Sequence, residues 1–142
     1  MRGSSRIARR DLLDEKLTYC VIGGFFEVYR NLRYGLLEHL YVAALERELR
    51  ARGHRVGREV WVPVMYKGEE IGVQRLDMLV DDRVVVEVKS TRELHRSAAR
   101  QLHCYLSATK LETGLLLHFG LEPRFCRLVC SNSGAPQRGA RS

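Results

Sequence analysis

The chain has 142 residues, of which 45% are hydrophobic and 29% charged, and its net charge is +7. A chain of this length and composition is typical of one soluble globular domain that needs no disulfide or metal to complete its core. No apolar run is long enough to span a bilayer, and the basic N-terminus lacks the apolar segment of a secretory signal. We therefore expect a cytoplasmic protein without a membrane anchor.

The positive charge is concentrated at the two ends of the chain. Residues 1–10 and 131–142 contain six arginines and no acidic residue, and without them residues 11–130 carry a charge of +1. We expect a basic tail at 1–10, one folded domain at 11–130 and a polar tail at 131–142. The tails could attract phosphate, but a nearly neutral body does not by itself indicate nucleic-acid binding.

Apolar periodicity predicts eight elements in the order ααβββαββ, which make one α/β domain. In chain order they are helices at 12–33 and 36–52, strands at 56–66, 71–80 and 84–90, a helix at 97–108, and strands at 114–119 and 124–130. Pro63 indicates that the first strand lies at an edge of the sheet, because proline cannot donate a ladder hydrogen bond. Gly53 is a candidate cap for the second helix.

Charged residues interrupt two strands that are otherwise apolar. Asp77 lies within Leu-Asp-Met-Leu-Val, and ten residues later Glu87 and Lys89 flank Val88 at the end of a valine-rich strand. Burying a carboxylate among valines costs free energy unless something pairs with it, and a divalent cation held by two carboxylates is one solution. The alternative is a surface hairpin whose charged side chains simply face water.

The register of this hairpin decides between the two interpretations. A three-residue loop at 81–83 sets Asp77 opposite Glu87 and Leu76 opposite Val88, so that one face is wholly apolar and the charged residues share the other. A two-residue turn would put the two carboxylates on opposite faces. The apolar matching favours the longer loop, although no glycine supplies its usual left-handed position.

Four short motifs occur together in a characteristic order. They are Gly35-Leu36-Leu37-Glu38-His39-Leu40-Tyr41, Arg75-Leu76-Asp77-Met78-Leu79-Val80, Val86-Glu87-Val88-Lys89 and Gln101-Leu102-His103-Cys104-Tyr105. With them the chain resembles the GxxExxY protein family of the PD-(D/E)XK nuclease superfamily, and the last motif looks like the Gln-x3-Tyr helix of its RecB-like branch. Relatives usually read Gly-Pro-Gly where this chain has Arg33-Tyr34-Gly35, a difference expected to alter a loop and leave the metal site intact.

The resemblance implies a restriction-endonuclease-like core, with a mixed central sheet flanked by helices, and a site for Mg²⁺ or Mn²⁺. Asp77, Glu87 and the backbone carbonyl of Val88 would bind the metal, since these hard cations take oxygen ligands. Lys89 would orient or help to deprotonate the attacking water. Glu38 would reach the metal directly or through water; alternatively it only favours the dipole of its helix.

Further polar residues are assigned supporting roles by the same resemblance. Gln101, Tyr105 and Tyr41 would support the site or contact phosphate, while the first two could equally form a solvated helix face. His95, with Arg92 and Arg96, would line a phosphate path or belong to a solvated loop. His118 shows no metal-ligand spacing.

The implied function is a metal-dependent nuclease that hydrolyses phosphodiester bonds of DNA, with RNA as the second choice. The alternative is a nuclease-fold protein that binds nucleic acid or a protein partner without cleaving it. A core this small has little room for target recognition, so a homodimer or a partner protein is also considered. No iron–sulfur cluster is expected, because Cys104 lies within a predicted helix and Cys126 and Cys130 in a strand.

Overall fold

The computed structural model describes the backbone of residues 2–131 and the side chains of residues 14–131. The elements are α1 Arg2–Leu32, α2 Glu38–Ala51, β1 Val56–Tyr66, β2 Glu69–Val80, β3 Val84–Lys89, α3 Ser97–Ala108, β4 Thr113–Phe119 and β5 Pro123–Val129. The predicted order ααβββαββ is confirmed. No helix among the described residues has both the length and the apolar character needed to cross a membrane.

The strands form one mixed sheet in the order β1-β2-β3-β4-β5. β3 and β4 are parallel neighbours joined by a crossover through α3, whereas the other three neighbouring pairs are antiparallel. The prediction that the strand with Pro63 lies at an edge is confirmed, since β1 is the outermost strand. The central position of β3 places Glu87 and Lys89 between β2 and β4.

Two apolar layers cover the two faces of the sheet. On one face, α1 and α2 pack against side chains that include Met78, Val86 and Leu117. On the other face, α3 packs through Leu102 and Leu106 against residues of β3, β4 and β5. β4 lies between the two layers and is buried along its whole length, which explains the nearly continuous apolar run at 114–119.

The ends of the chain differ from the sequence prediction. The first helix begins at Arg2 instead of residue 12, so residues 2–10 continue the helix where a separate basic tail was expected. Arginine, alanine and isoleucine are compatible with a helix, and no proline or glycine interrupts residues 4–22 to stop it. The predicted polar tail at 131–142 lies outside the described residues except for Ser131.

The loop of the β2–β3 hairpin follows the three-residue prediction. Asp81 and Asp82 both adopt left-handed backbone angles, with φ of 51° and 56°. Aspartate tolerates this conformation better than most residues. The Asp81 carboxylate also accepts a hydrogen bond from the Arg55 amide at 2.8 Å and contacts His54 Nδ1 at 2.9 Å. These contacts replace the glycine whose absence argued against the loop, and the register Met78↔Val86, as predicted, is confirmed.

The prediction that Leu76 shares an apolar face with Val88 is wrong. The regular β2–β3 pairing ends at Met78, and Leu76 packs in the α3 layer while Met78 packs in the α1/α2 layer. Pairing between β1 and β2 also skips the position of Glu59 and Asp77, where Glu59 has a φ of 52°. β2 is therefore irregular at Asp77, because this residue bonds to the end of β3 instead of continuing the ladder.

Candidate metal and catalytic site

Asp77 and Glu87 meet where β2 and β3 stop pairing. The Asp77 amide donates a hydrogen bond to Glu87 Oε1 at 3.3 Å, and the Val88 amide donates one to Asp77 Oδ2 at 3.0 Å. Each strand thus holds the carboxylate of the other through a backbone amide. The two side chains lie close together, and main-chain amides orient both carboxylates.

This arrangement concentrates negative charge in a partly dehydrated place. Burial, followed by the negative charge of Asp77, raises the pKa of Glu87 from its usual 4.5 to about 8, even though Lys89 acts in the opposite direction. Burial and mutual repulsion therefore oppose a second negative charge on the pair. A cation bound between the carboxylates would relieve the repulsion.

Glu38 and Lys89 bring two further charges to the same place. Glu38 is the first residue of α2, and although it is exposed, partial burial of its carboxyl and the charge of Asp77 raise its pKa, while Lys89 lowers it. Lys89 acts on both Glu38 and Glu87. Three carboxylates and one ammonium, contributed by α2, β2 and β3, therefore influence one another electrostatically.

The motif around Glu38 has a structural explanation at each of its defined positions. Gly35 has a φ of 122°, a region in which residues with a side chain are strained. The Tyr41 hydroxyl donates to the Arg33 carbonyl and accepts from the Leu36 amide, and its buried ring stacks on Phe119 with centroids 4.2 Å apart. Glycine and tyrosine together shape the loop from which Glu38 enters α2.

The donor atoms suit a hard divalent cation that keeps part of its water shell. Asp77 Oδ1, the Glu87 carboxylate and the Val88 carbonyl are oxygen ligands from adjacent strands, and Glu38 adds a third carboxylate that interacts electrostatically with Asp77. Within residues 14–131, no three His, Cys, Asp or Glu side chains converge to metal-ligand distance. Mg²⁺ and Mn²⁺ prefer oxygen ligands such as these carboxylates and retain several water ligands, so the residues present fit either cation.

Comparison with known proteins identifies the family. A model described as the PD-(D/E)XK nuclease superfamily matches residues 15–128, which is most of the chain. The chain belongs to the PD-(D/E)XK nuclease superfamily. A search of curated proteins found no match.

One solved structure, the crystal structure of SSO0001, is similar to this PD-(D/E)XK protein with a TM-score of 0.51 and 19% sequence identity. The likeness covers 65% of this chain and 49% of that chain, so the present protein spans about half the length of SSO0001. At this identity the likeness shows a shared fold and nothing about activity.

The other predicted residues of this superfamily member lie at different distances from the carboxylates. Tyr41 supports the loop before Glu38, and its burial leaves it no surface for phosphate. Gln101 is exposed on α3 and Tyr105 is half-buried against the α3 layer. In the described part of the chain no hydrogen bond joins Gln101 or Tyr105 to the carboxylates, although Leu102 between them packs beside Leu76.

The sequence analysis missed His118. It lies on β4 as the register partner of Lys89, it is 4% exposed, and its Nε2 is 2.7 Å from the Thr91 carbonyl oxygen. The signal was present as a single polar residue within the apolar run at 114–119. Metal-ligand spacing was the wrong test for it, because its contact is with the main chain just after Lys89.

Proposed function

We propose that this protein is a divalent-metal-dependent nuclease that hydrolyses phosphodiester bonds of nucleic acid, with DNA preferred to RNA. The observation that carries the proposal is the contact between Asp77 and Glu87 beside Lys89, where burial and then the charge of Asp77 raise the pKa of Glu87 to about 8. Perturbed carboxylates that gather beside a lysine are characteristic of catalytic sites. Membership of the nuclease superfamily supports the same activity.

Each residue of the site has a proposed role. Asp77 and Glu87 bind Mg²⁺ or Mn²⁺ together with the Val88 carbonyl, and Glu38 acts on a metal ligand directly or through water. The bound metal supplies Lewis-acid polarisation of the phosphate and a more acidic water. Lys89 orients the attacking water and offsets negative charge on the phosphate in the transition state.

The hydrogen bonds of the site favour these roles. The Val88 amide fixes Asp77 Oδ2, which leaves Oδ1 to act as a donor, and the Asp77 amide holds the Glu87 carboxylate beside it. Both carboxylates are thereby oriented before any ligand binds. Such preorganisation avoids an entropic cost at the reaction step.

We further propose that the protein belongs to the GxxExxY family, with its Gln101–Tyr105 helix resembling the RecB-like branch. Gly35, Glu38 and Tyr41 stand at the defining positions of the family name and have the backbone and side-chain contacts described above. Gln101 and Tyr105 are assigned to support or phosphate contact. The four cysteines are all free, which supports a reducing, cytoplasmic location.

The test is cleavage of labelled single-stranded, double-stranded and flapped DNA, and of matched RNA, in Mg²⁺ or Mn²⁺. Asp77→Asn is the inactive variant, and Asp82→Asn is its matched control. Asp82 belongs to the same hairpin, but its side chain is 76% exposed and pairs with Arg55 at the opposite end. Cleavage by wild type and Asp82→Asn, and not by Asp77→Asn, supports the proposal; equal cleavage by all three overturns it.

A second candidate is a protein that binds nucleic acid or a partner without cleaving. The near-neutral charge of residues 11–130 favours the form of this candidate that binds a protein partner, because a body with a net charge of +1 attracts phosphate only weakly. Retention of a labelled oligonucleotide, with no cleavage in either metal, would select it. A homodimer or partner protein that supplies the missing recognition surface would be compatible with either candidate.

A further inference from the structure

The segment that follows Lys89 carries two exposed arginines, Arg92 and Arg96, and an exposed histidine. Residues 90–96 lead from the end of β3 to α3, and Arg92, His95 and Arg96 are all exposed within them. In the described part of the chain no ion pair joins Arg92 or Arg96 to a carboxylate. These guanidinium groups are therefore available to a phosphate backbone that reaches Lys89.

Among the described residues, one side chain of the sheet forms hydrogen bonds with this segment. Both side-chain hydrogen bonds between Thr91 and the sheet, among the described residues, end on the imidazole of His118: Nε2 lies 2.7 Å from the Thr91 carbonyl oxygen and 3.3 Å from its Oγ1. Thr91 Oγ1 in turn donates to the Glu93 carbonyl at 2.7 Å. Lys89 itself is held differently, because it belongs to the β3–β4 pairing.

The contact with Thr91 determines which nitrogen of the His118 ring donates a hydrogen bond. A hydrogen bond to a carbonyl oxygen requires a hydrogen on Nε2, and Nδ1 is the other ring nitrogen. That Nδ1 is buried without a partner within the described structure. An unsatisfied buried nitrogen costs free energy, and the bond to Thr91 is the polar contact that a histidine here provides.

The turn after β4 presses on the same ring. A methyl group added to Gly120 would lie 2.5 Å from His118 Cε1, so glycine is needed for this close approach. The Tyr29 hydroxyl donates to the carbonyls of Gly120 and Leu121 at 2.7 and 2.8 Å, which fixes the turn from α1. Gly120 therefore lies close to the ring at Cε1, beside the nitrogen that contacts Thr91.

We propose that His118 is a positioning residue that holds the basic segment 90–96 beside the active site, so that Arg92 and Arg96 bind backbone phosphates next to the scissile one. This inference rests on the proposed nuclease function and adds a substrate-binding element to it. Arg92 and Arg96 contact flanking phosphates equally in the ground and transition states, so the effect of His118 falls on KM. Lys89 acts on the scissile phosphate, so its effect falls on kcat.

The variants His118→Phe and His118→Gln separate positioning from packing. Phenylalanine keeps a ring of similar size but cannot donate a hydrogen bond. Glutamine has an amide nitrogen that can reach the Thr91 carbonyl. Because Nδ1 of His118 has no partner among the described residues, glutamine loses no hydrogen bond there. Removing one hydrogen bond should raise KM roughly three- to tenfold in His118→Phe with little change in kcat. His118→Gln should restore KM, and Gly120→Ala, which displaces the ring, should resemble His118→Phe.

A double-mutant cycle tests whether the arginines carry the effect. Arg92→Gln/Arg96→Gln should raise KM and reduce its dependence on salt concentration, because a protein that contacts fewer phosphates displaces fewer counterions on binding. Adding His118→Phe to that variant should have no further effect, because coupled residues are not additive. Additive losses would overturn the proposal, as would an unchanged KM in His118→Phe.

Limited trypsin digestion gives a reading that does not depend on catalysis. Cleavage after Arg92 and Arg96, identified by mass spectrometry, should be faster in folded His118→Phe than in wild type and His118→Gln. Equal rates overturn the proposal. If wild type cleaves no nucleic acid, the proposed function fails, and the dissociation constant of a labelled single-stranded oligonucleotide replaces KM in the comparison of the same variants.

Discussion

The carboxylates at the two ends of the β2–β3 hairpin have different kinds of partner. At the loop end, Asp81 contacts His54 at 2.9 Å and Asp14 contacts Arg83 at 2.6 Å, so each has a basic partner. At the open end, Asp77 and Glu87 accept from backbone amides and face each other. At the loop end, contacts between carboxylates and basic side chains stabilise the fold. At the open end, the Asp77 and Glu87 carboxylates repel each other, and a bound cation can relieve that repulsion.

The largest expected effect is on turnover at the open end. Asp77→Asn, Glu87→Gln and Lys89→Ala should each lower kcat by orders of magnitude, because each removes an interaction made mainly in the transition state. Asp82→Asn, at the loop end, should retain wild-type activity. Single-turnover cleavage assays measure the effect, and circular dichroism checks that each variant is folded.

Full activity of either carboxylate variant, in protein purified by two independent routes, would contradict the assignment of the site. It would also remove the distinction between the two ends of the hairpin, since the open end would then have no chemical role that the loop end lacks.

The contrast explains how much the sequence could predict. Valine-rich runs predicted the strands, and the matching of apolar residues across the hairpin predicted the register at Met78↔Val86. The approach of Asp77 to Glu87 follows from that register. The irregularity at Asp77, which moves Leu76 to the other layer, depends on hydrogen bonds between side chain and main chain that leave no trace in hydrophobic periodicity.

Long-range contacts of polar residues were equally inaccessible. The Asp14 carboxylate bonds to Thr113, 99 positions away, and His118 bonds to Thr91 across the β3–β4 crossover. No local pattern in one sequence pairs such residues. Tyr41 was predicted as part of a motif, yet its burial and its loop contacts required the fold.

Metal binding should stabilise the open end next most strongly. A ligand that binds only the folded state contributes about 2.7 kcal/mol at a concentration of 100 times its Kd. Mn²⁺ or Mg²⁺ should therefore raise the Tm of wild type, and the Asp77→Ala/Glu87→Gln double variant should lose the shift. Thermal melts across a divalent titration measure it. An identical shift in both proteins would mean that the ions bind elsewhere.

Breaking the loop-end contacts should reduce stability without affecting chemistry. Asp14→Ala removes a buried carboxylate that bonds to Arg83 and Thr113, and should lower the free energy of unfolding by about 2 kcal/mol. Glu122→Ala is the matched control, since Glu122 pairs with Arg124 at the surface and is 74% exposed. Urea unfolding should show a change within about 0.5 kcal/mol for the control. A larger loss in the control than in Asp14→Ala would contradict the distinction.

The smallest expected effects are two opposite pH slopes in the metal-free protein. The pKa of Glu87 is raised, from 4.5 to about 8, by burial and by Asp77, with Lys89 opposing and Glu38 adjoining the same cluster. Between those pH values the folded state holds its proton more tightly than the unfolded state, so the Glu87 contribution to stability is lost as pH rises.

At the loop end the sign is reversed. Burial acts to raise the pKa of Asp81, but hydrogen bonds from His54 and the Arg55 amide outweigh it and hold the pKa below 3.8. Its stabilisation is present above that pH and is lost as pH falls. Glu87→Gln should flatten the slope between about pH 4.5 and 8, and Asp81→Asn should flatten the acid limb, each by a fraction of the ~1.4 kcal/mol per pH unit that one proton allows. Urea unfolding in EDTA across this pH range measures both slopes. A Glu87→Gln profile parallel to wild type would show that the carboxylates at the open end are not in conflict, and the electrostatic basis for a cation site would be lost.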